Sequence, residues 1–186
     1  MPERAPPPAD LAGLSLAEIA EAVAARRLPP VDRWDPAHCG DSGMRILGDG
    51  TWLHDGVPIA RPAMVRLFAT LLRREADGGH VLVTPAEKLS IAVDDAPFVA
   101  VELASEGEGR ARRLAFRLNT GDLAAAGPGH GLRWRGDVPY LAVRAGLEAR
   151  IARPVFYELA DRALAEGGDP PGLWSDGLFL PLVPRP

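Results

Sequence analysis

The tetrapeptide Ile-Ala-Arg-Pro occurs at residues 59–62 and again at residues 151–154. Proline is favoured at the first turn of a helix, where its missing N–H is not needed, so each copy marks a helix start. The surroundings match. Before the first copy, residues 44–47 and 51–54 flank the turn Gly48-Asp49-Gly50. Before the second, residues 140–144 and 147–151 flank Ala145-Gly146. Apolar segments around a Gly-rich turn predict hairpins. After the first copy, Met64, Val65, Leu67, Phe68, Leu71 and Leu72 form an apolar stripe. Placing Pro62 on Pro154 sets Met64 on Phe156, Leu67 on Leu159, Leu71 on Ala163 and Leu72 on Leu164. Both stripes end near Gly-Gly, and a strand pair follows each. The pattern predicts a duplicated hairpin–helix–strands unit, with 44–93 equivalent to 139–182.

The remaining segments complete an α+β chain. Residues 1–13, rich in proline, read as a mobile arm. Ser15 and Glu18 form a capping box for a helix to about Arg27, and residues 14–38 read as that helix and a linker. The first α+β half spans 39–96 and the second 97–186. Period-two alternation at 98–103 and 113–118 predicts paired strands in a mostly antiparallel second half.

Charge and composition exclude several classes. The net charge is −4, which disfavours general nucleic-acid or membrane-surface binding, because counterion release requires a basic face. Cys39 is the single cysteine, so no internal disulfide can form. No apolar run reaches the roughly 18 residues of a membrane span, and the N-terminus lacks the basic start and apolar core of a signal peptide. The expected location is the cytoplasm. No cofactor is expected, since neither a phosphate-binding glycine loop nor a metal-ligand spacing is present.

One stretch imitates chemistry. Residues 37–43, Ala-His-Cys-Gly-Asp-Ser-Gly, fuse the strings around the catalytic His and Ser of chymotrypsin-like proteases. Those residues must come from separate barrels, so this stretch reads as a turn in which Asp41 and Ser42 bond local backbone and Cys39 packs inside. Two charged clusters carry more weight. Glu87 adjoins Lys88, the single lysine of a chain whose other basic residues are arginine. Glu148, Arg150 and Arg153 lie at the second repeat, with Tyr140 and Arg144 across the turn. Glu148 and Arg150 share one strand face, and Tyr140 and Arg144 share another. Such groups either pair with each other or line a site.

The runs CGDSGMRI, DGVPIARPAMVRLFATLLRREADGGHVLVTPAEKLSI and PYLAVRAGLEARIARPVFYELA, with RLNTGD and WSDGLFLPL, lie in order over about residues 35–182. In these the chain resembles a bacterial family, domain-of-unknown-function family 1285. The resemblance implies a duplicated core, a C-terminal half similar to pleckstrin-homology-like barrels, and a signalling role. It also implies a groove between the halves for a nucleotide-like ligand. The matching positions that would face that groove are Arg61, Glu87, Lys88, Asn119, Arg144, Glu148, Arg150, Arg153 and Trp174. The leading expectation is a non-catalytic sensor of a small anionic ligand, with Arg150 and Arg153 as anion contacts and Glu148 positioning one of them. The alternatives are a protein-interaction module with a protein partner, and an enzyme using Glu87 with Lys88, or Glu148, as acid and base.

Overall fold

The computed structural model describes residues 28–184. The arm and first helix expected from the sequence lie outside the described residues.

The first half runs β1 (His38–Ile46), β2 (Trp52–His54), β3 (Val57–Pro58), α1 (Pro62–Thr70), β4 (Leu72–Arg74), β5 (His80–Val83) and β6 (Glu87–Val93). Its sheet has the order β3-β2-β1-β6-β5-β4. The hairpin expected around Gly48-Asp49-Gly50 forms, with Met44 opposite His54 and Ile46 opposite Trp52. Its turn needs Gly50 at φ +90°, and Asp49 Oδ1 accepts the Thr51 N–H at 2.8 Å. That bond, with a second from the Thr51 side chain, holds the Asp49 carboxyl below the usual aspartate value.

The second half runs β7 (Phe98–Glu106), β8 (Arg113–Leu118), β9 (Leu123–Ala126), β10 (Leu132–Arg135), β11 (Val138–Arg144), β12 (Leu147–Ile151), α2 (Arg153–Glu166), β13 (Gly172–Ser175) and β14 (Leu178–Pro181). Its sheet has the order β10-β11-β12-β7-β8-β9, and β13 and β14 form a separate ribbon. A tight turn bridges Gly127 and His130, bringing the outermost strands β9 and β10 together and curling the sheet into a half-barrel. In both halves one parallel pair interrupts the antiparallel order: β1 with β6, and β12 with β7.

The halves are related in architecture, each a six-stranded sheet with one proline-started helix. They do not correspond strand for strand. α1 leaves the edge strand β3, whereas α2 leaves the inner strand β12. The strands after α1 join its sheet, whereas β13 and β14 stand apart. The helical stripes differ too: Leu159 is 1% exposed and its expected equivalent Leu67 is 59% exposed. α1 also stops at Thr70, short of Gly78-Gly79. Leu72 is taken by β4 instead, opposite Leu82 of β5. Ladder pairing to a neighbouring strand overrides the local helical period there. α2 does end as expected, with Gly167 at φ 68° donating its N–H to Ala163 and Leu164 carbonyls.

A single apolar cluster spans both halves. It joins Ile46, Trp52, Leu72 and Ile91 to Phe98, Phe116, Leu141 and Leu147, and takes in Leu159 of α2 and Leu180 of β14. Among the described residues no helix is long and apolar enough to cross a membrane.

Candidate functional site

The polar counterpart of that shared core is a charge cluster where the halves meet. Strand register assembles its second-half side. Arg133 of β10 stands opposite Tyr140 of β11, which stands opposite Arg150 of β12. Residues two apart on a strand share its face, so Arg135 and Glu148 join the same surface. Tyr140 therefore lies beside Glu148 and Arg150 rather than on a separate face with Arg144, because the β11–β12 register shifts between Ala142 and Arg144. The first half contributes Arg74 of β4, His80 opposite it on β5, and Asp95 in the link between β6 and β7.

Glu148 is the buried centre, its side chain 6% exposed. Arg135 pairs closely with it. Arg133 Nη1 lies 3.6 Å and Arg74 Nη1 3.9 Å from its carboxylate. Asp95 is the second anchor. Tyr140 donates its hydroxyl to Asp95 Oδ1 at 2.6 Å. Arg150 donates to the Gly48 carbonyl at 2.9 Å, while its Nε sits 3.4 Å from Asp95 Oδ2, a charge contact without hydrogen-bond geometry. The Arg135 guanidinium covers the Tyr140 ring at 4.0 Å. Burial and then the Asp95 bond raise the Tyr140 pKa, so its hydroxyl stays a donor at neutral pH.

His80 senses this cluster. Burial first, then the neighbouring Arg74 charge, lowers its pKa below the ordinary 6.5. The unfolded chain therefore binds this proton more readily than the folded one. Stability from the neutral ring is complete above pH 6.5 and is lost as pH falls through the depressed folded value. Between pH 7 and pH 5 the melting temperature should drop, and His80→Asn should flatten that drop. Calorimetric melts of both proteins across this range check it; equal slopes would remove His80 as the cause.

Beside the cluster, at the β11–β12 turn, lies a cavity of about 140 Å³ lined by His130, Arg133, Arg144, Glu148 and the backbone of Gly129 and Gly146. Arg144 is anchored across the joint, donating to the Ala69 carbonyl at 2.6 Å, with its guanidinium 5.2 Å from the Phe98 ring. Arg74 reaches the Gly146 carbonyl at 3.4 Å.

Of the residues singled out from the sequence, Arg144, Glu148 and Arg150 meet in this joint. Asn119 bridges the halves elsewhere, accepting the Val99 N–H at 2.9 Å and donating to the Gly50 carbonyl at 3.2 Å. Arg61 caps α1 and is exposed. Glu87 and Lys88 are successive residues of β6 and face opposite ways; Lys88 Nζ is 3.9 Å from Glu75. Arg153 is the exposed first residue of α2. Trp174 packs on Phe179 and under Arg110. Asp95, Arg74, Arg133, Arg135 and His130 also belong to the joint or its cavity, and no motif of the sequence marks them. Register across β10–β12 could have flagged Arg133 and Arg135, but Arg74 and Asp95 reach the joint only through tertiary packing.

The protease-like stretch is a strand, not a free turn. Residues 38–43 belong to β1, which bulges between Asp41 and Arg45. Gly43 sits there at φ 64°. Asp41 accepts the Gly43 N–H at 3.0 Å, and Ser42 Oγ donates to the Ser90 carbonyl at 2.7 Å. Cys39 is exposed rather than packed inside. Among the described residues no three His, Cys, Asp or Glu side chains form a metal-holding group.

These features define a strand-rich α+β protein whose two halves share one core and meet at a charge cluster centred on the buried Glu148. The model described as the N-terminal domain of a domain of unknown function (DUF1285) matches residues 29–96. The model of the C-terminal domain of the same family matches residues 97–182. The chain belongs to the DUF1285 family. It is similar to the crystal structure of a DUF1285 family protein from Silicibacter pomeroyi DSS-3, at 46% identity and TM-score 0.76, covering 91% of this chain and 95% of that one. A DUF1285 family protein from Shewanella baltica OS155 shares the fold at 24% identity and TM-score 0.55, covering 63% of this chain and 90% of that one. No curated protein matches the chain.

Proposed function

We propose that the protein is a non-catalytic, cytoplasmic binding protein that senses a small anionic ligand of nucleotide-like chemistry in the groove between its halves, with its curled second half serving as a pleckstrin-homology-like barrel in signalling. The observation that carries this reading is the charge balance beside the cavity. Four guanidiniums, from Arg74, Arg133, Arg135 and Arg150, surround two carboxylates, Asp95 and Glu148. The surplus favours an anion, and guanidinium forks suit phosphate. Within the groove, Arg150 is committed to Gly48 and Asp95, and Arg153 stands apart, so the exposed Arg133 is the better anion contact, with Arg144 adding positive charge from its anchored position.

A thermal-shift screen against nucleotides and other phosphorylated metabolites tests the reading. A ligand at 100 times its Kd should add about 2.7 kcal/mol and raise the melting temperature by roughly 5–10 °C. No shift from any phosphorylated compound would sink it. The protein-partner reading draws on one observation, the exposed apolar side chains Val57, Met64 and Leu67 at β3 and α1. The enzyme reading has weaker support, because Glu87 and Lys88 diverge and Glu148 is already held by arginines.

A further inference from the structure

We infer, resting on the reading above and narrowing it, that the cavity at the β11–β12 turn is a site for a single phosphoryl group, gripped by Arg133 and by Nε2 of His130 through one shared proton. Size sets the first limit. About 140 Å³ accommodates a group of a few heavy atoms and falls short of the roughly 300 Å³ at which pockets for whole drug-sized ligands begin. A phosphoryl group fits, and a nucleoside attached to it would lie outside.

The second argument is which cations are free to respond. Arg135 holds Glu148 closely, so the buried carboxylate stays neutralised without Arg133. Arg133 is 3.6 Å from Glu148 and its side chain is 69% exposed. It can turn onto an incoming anion and leave the Glu148–Arg135 pair intact. Arg144 is tied to Ala69 and acts as a fixed positive wall.

His130 supplies the third contact. Its Nδ1 lies 3.2 Å from the Ala142 carbonyl. A carbonyl only accepts, so Nδ1 carries the proton and Nε2 is the lone-pair nitrogen of the neutral ring. The residue is held in place by reciprocal backbone bonds between Gly127 and His130, at 3.2 and 2.8 Å. An anion oxygen can meet Nε2 only with a proton between them. A phosphate or phosphate monoester brings that proton as its monoanion; a dianion requires the ring to take one from solvent. A phosphodiester, ionised once, likewise meets Nε2 only after the ring takes a proton from solvent. The charged groups around the ring are Arg133 on β10, Arg144 on β11, Glu148 on β12, and Asp176, which lies beside Gly127 at the β13–β14 turn. Size makes the choice: a cavity of about 140 Å³ takes a terminal phosphoryl group and leaves no room for substituents on both sides of it, so the ligand class is inorganic phosphate or a phosphate monoester.

Isothermal titration of the full chain with inorganic phosphate and with AMP, at pH 7.5 in two buffers of different ionisation enthalpy, tests this. Wild type should bind both with net proton uptake. Arg133→Ala should weaken binding by about 10- to 100-fold, with Arg133→Lys recovering part of the loss. His130→Ala should weaken binding by about tenfold and abolish the proton uptake, a change that a purely structural histidine would not produce. Both side chains are exposed, so melting temperatures should stay within a degree or two of wild type. Equal affinity for phosphate and AMP supports free phosphate as occupant, and tighter AMP supports the phosphoryl end of a larger molecule. AMP binding that is unchanged in both variants overturns the site while leaving the groove reading standing. Failure of wild type to bind any phosphorylated compound removes both.

Discussion

Phe98→Ala should lower the stability of the whole chain by about 3–5 kcal/mol, the usual result of emptying a large aromatic site in a packed core. Phe98 is 0% exposed and opens β7, pairing with Ala149 of β12. It stands where the chain passes from the first half to the second. Its ring also supports the Arg144 guanidinium that reaches back to Ala69. The void would therefore be felt on both sides of the joint. Because buried residues of both halves form one cluster, denaturant unfolding should remain a single transition, displaced to lower concentration. A loss below about 1 kcal/mol, or two separate transitions, would show that the halves do not share this core.

Glu148→Ala should be the next largest effect, a loss of about 2–4 kcal/mol. Removing one partner of a buried ion pair typically destabilises by about 3–5 kcal/mol, because the other charge is left without compensation. Here the figure is discounted, since Arg135 and Arg74 are partly exposed and water can screen them. A double-mutant cycle with Arg135→Ala measures the pair directly. The double variant should be more stable than the sum of the two single losses predicts, because it no longer strands a charge. Simple additivity would mean that Glu148 stabilises through its packing alone.

How much of this could be read from the sequence depends on how far apart the interacting residues lie. The Gly48–Gly50 hairpin, the proline-led starts of both helices, the β11–β12 hairpin and the Gly167 stop are local grammar, and each is legible because turn glycines and helix-start prolines act over a few residues. The end of α1 was not. Leu71 and Leu72 continue a helical stripe, but Leu72 gains a ladder partner in Leu82, and an apolar run of that length does not distinguish the two outcomes. The stretch at 38–43 reads as a turn because of its glycines, yet β6 captures it as a strand whose bulge absorbs Gly43. The charge cluster was half visible. Glu148, Arg150 and Tyr140 share a hairpin, so alternation nearly places them. Asp95, one of two adjacent aspartates, acquires its importance only when Tyr140 and Arg150 arrive from the other half.

The two parallel pairs have a consequence for how the chain is made. His38 of β1 meets Glu87 of β6, and Phe98 of β7 meets Ala149 of β12, so each six-stranded sheet is zipped shut by segments about fifty residues apart. Closing such long loops must precede the contacts that reward it, which places both closures among the slower, high-contact-order steps of folding. On a ribosome the first sheet has to wait for β6 to clear the exit tunnel, and the second for β12. Between those moments the side of the shared core carried by Ile46, Trp52 and Phe98 waits for its second-half partners, and that apolar surface is the one a chaperone would meet on the nascent chain.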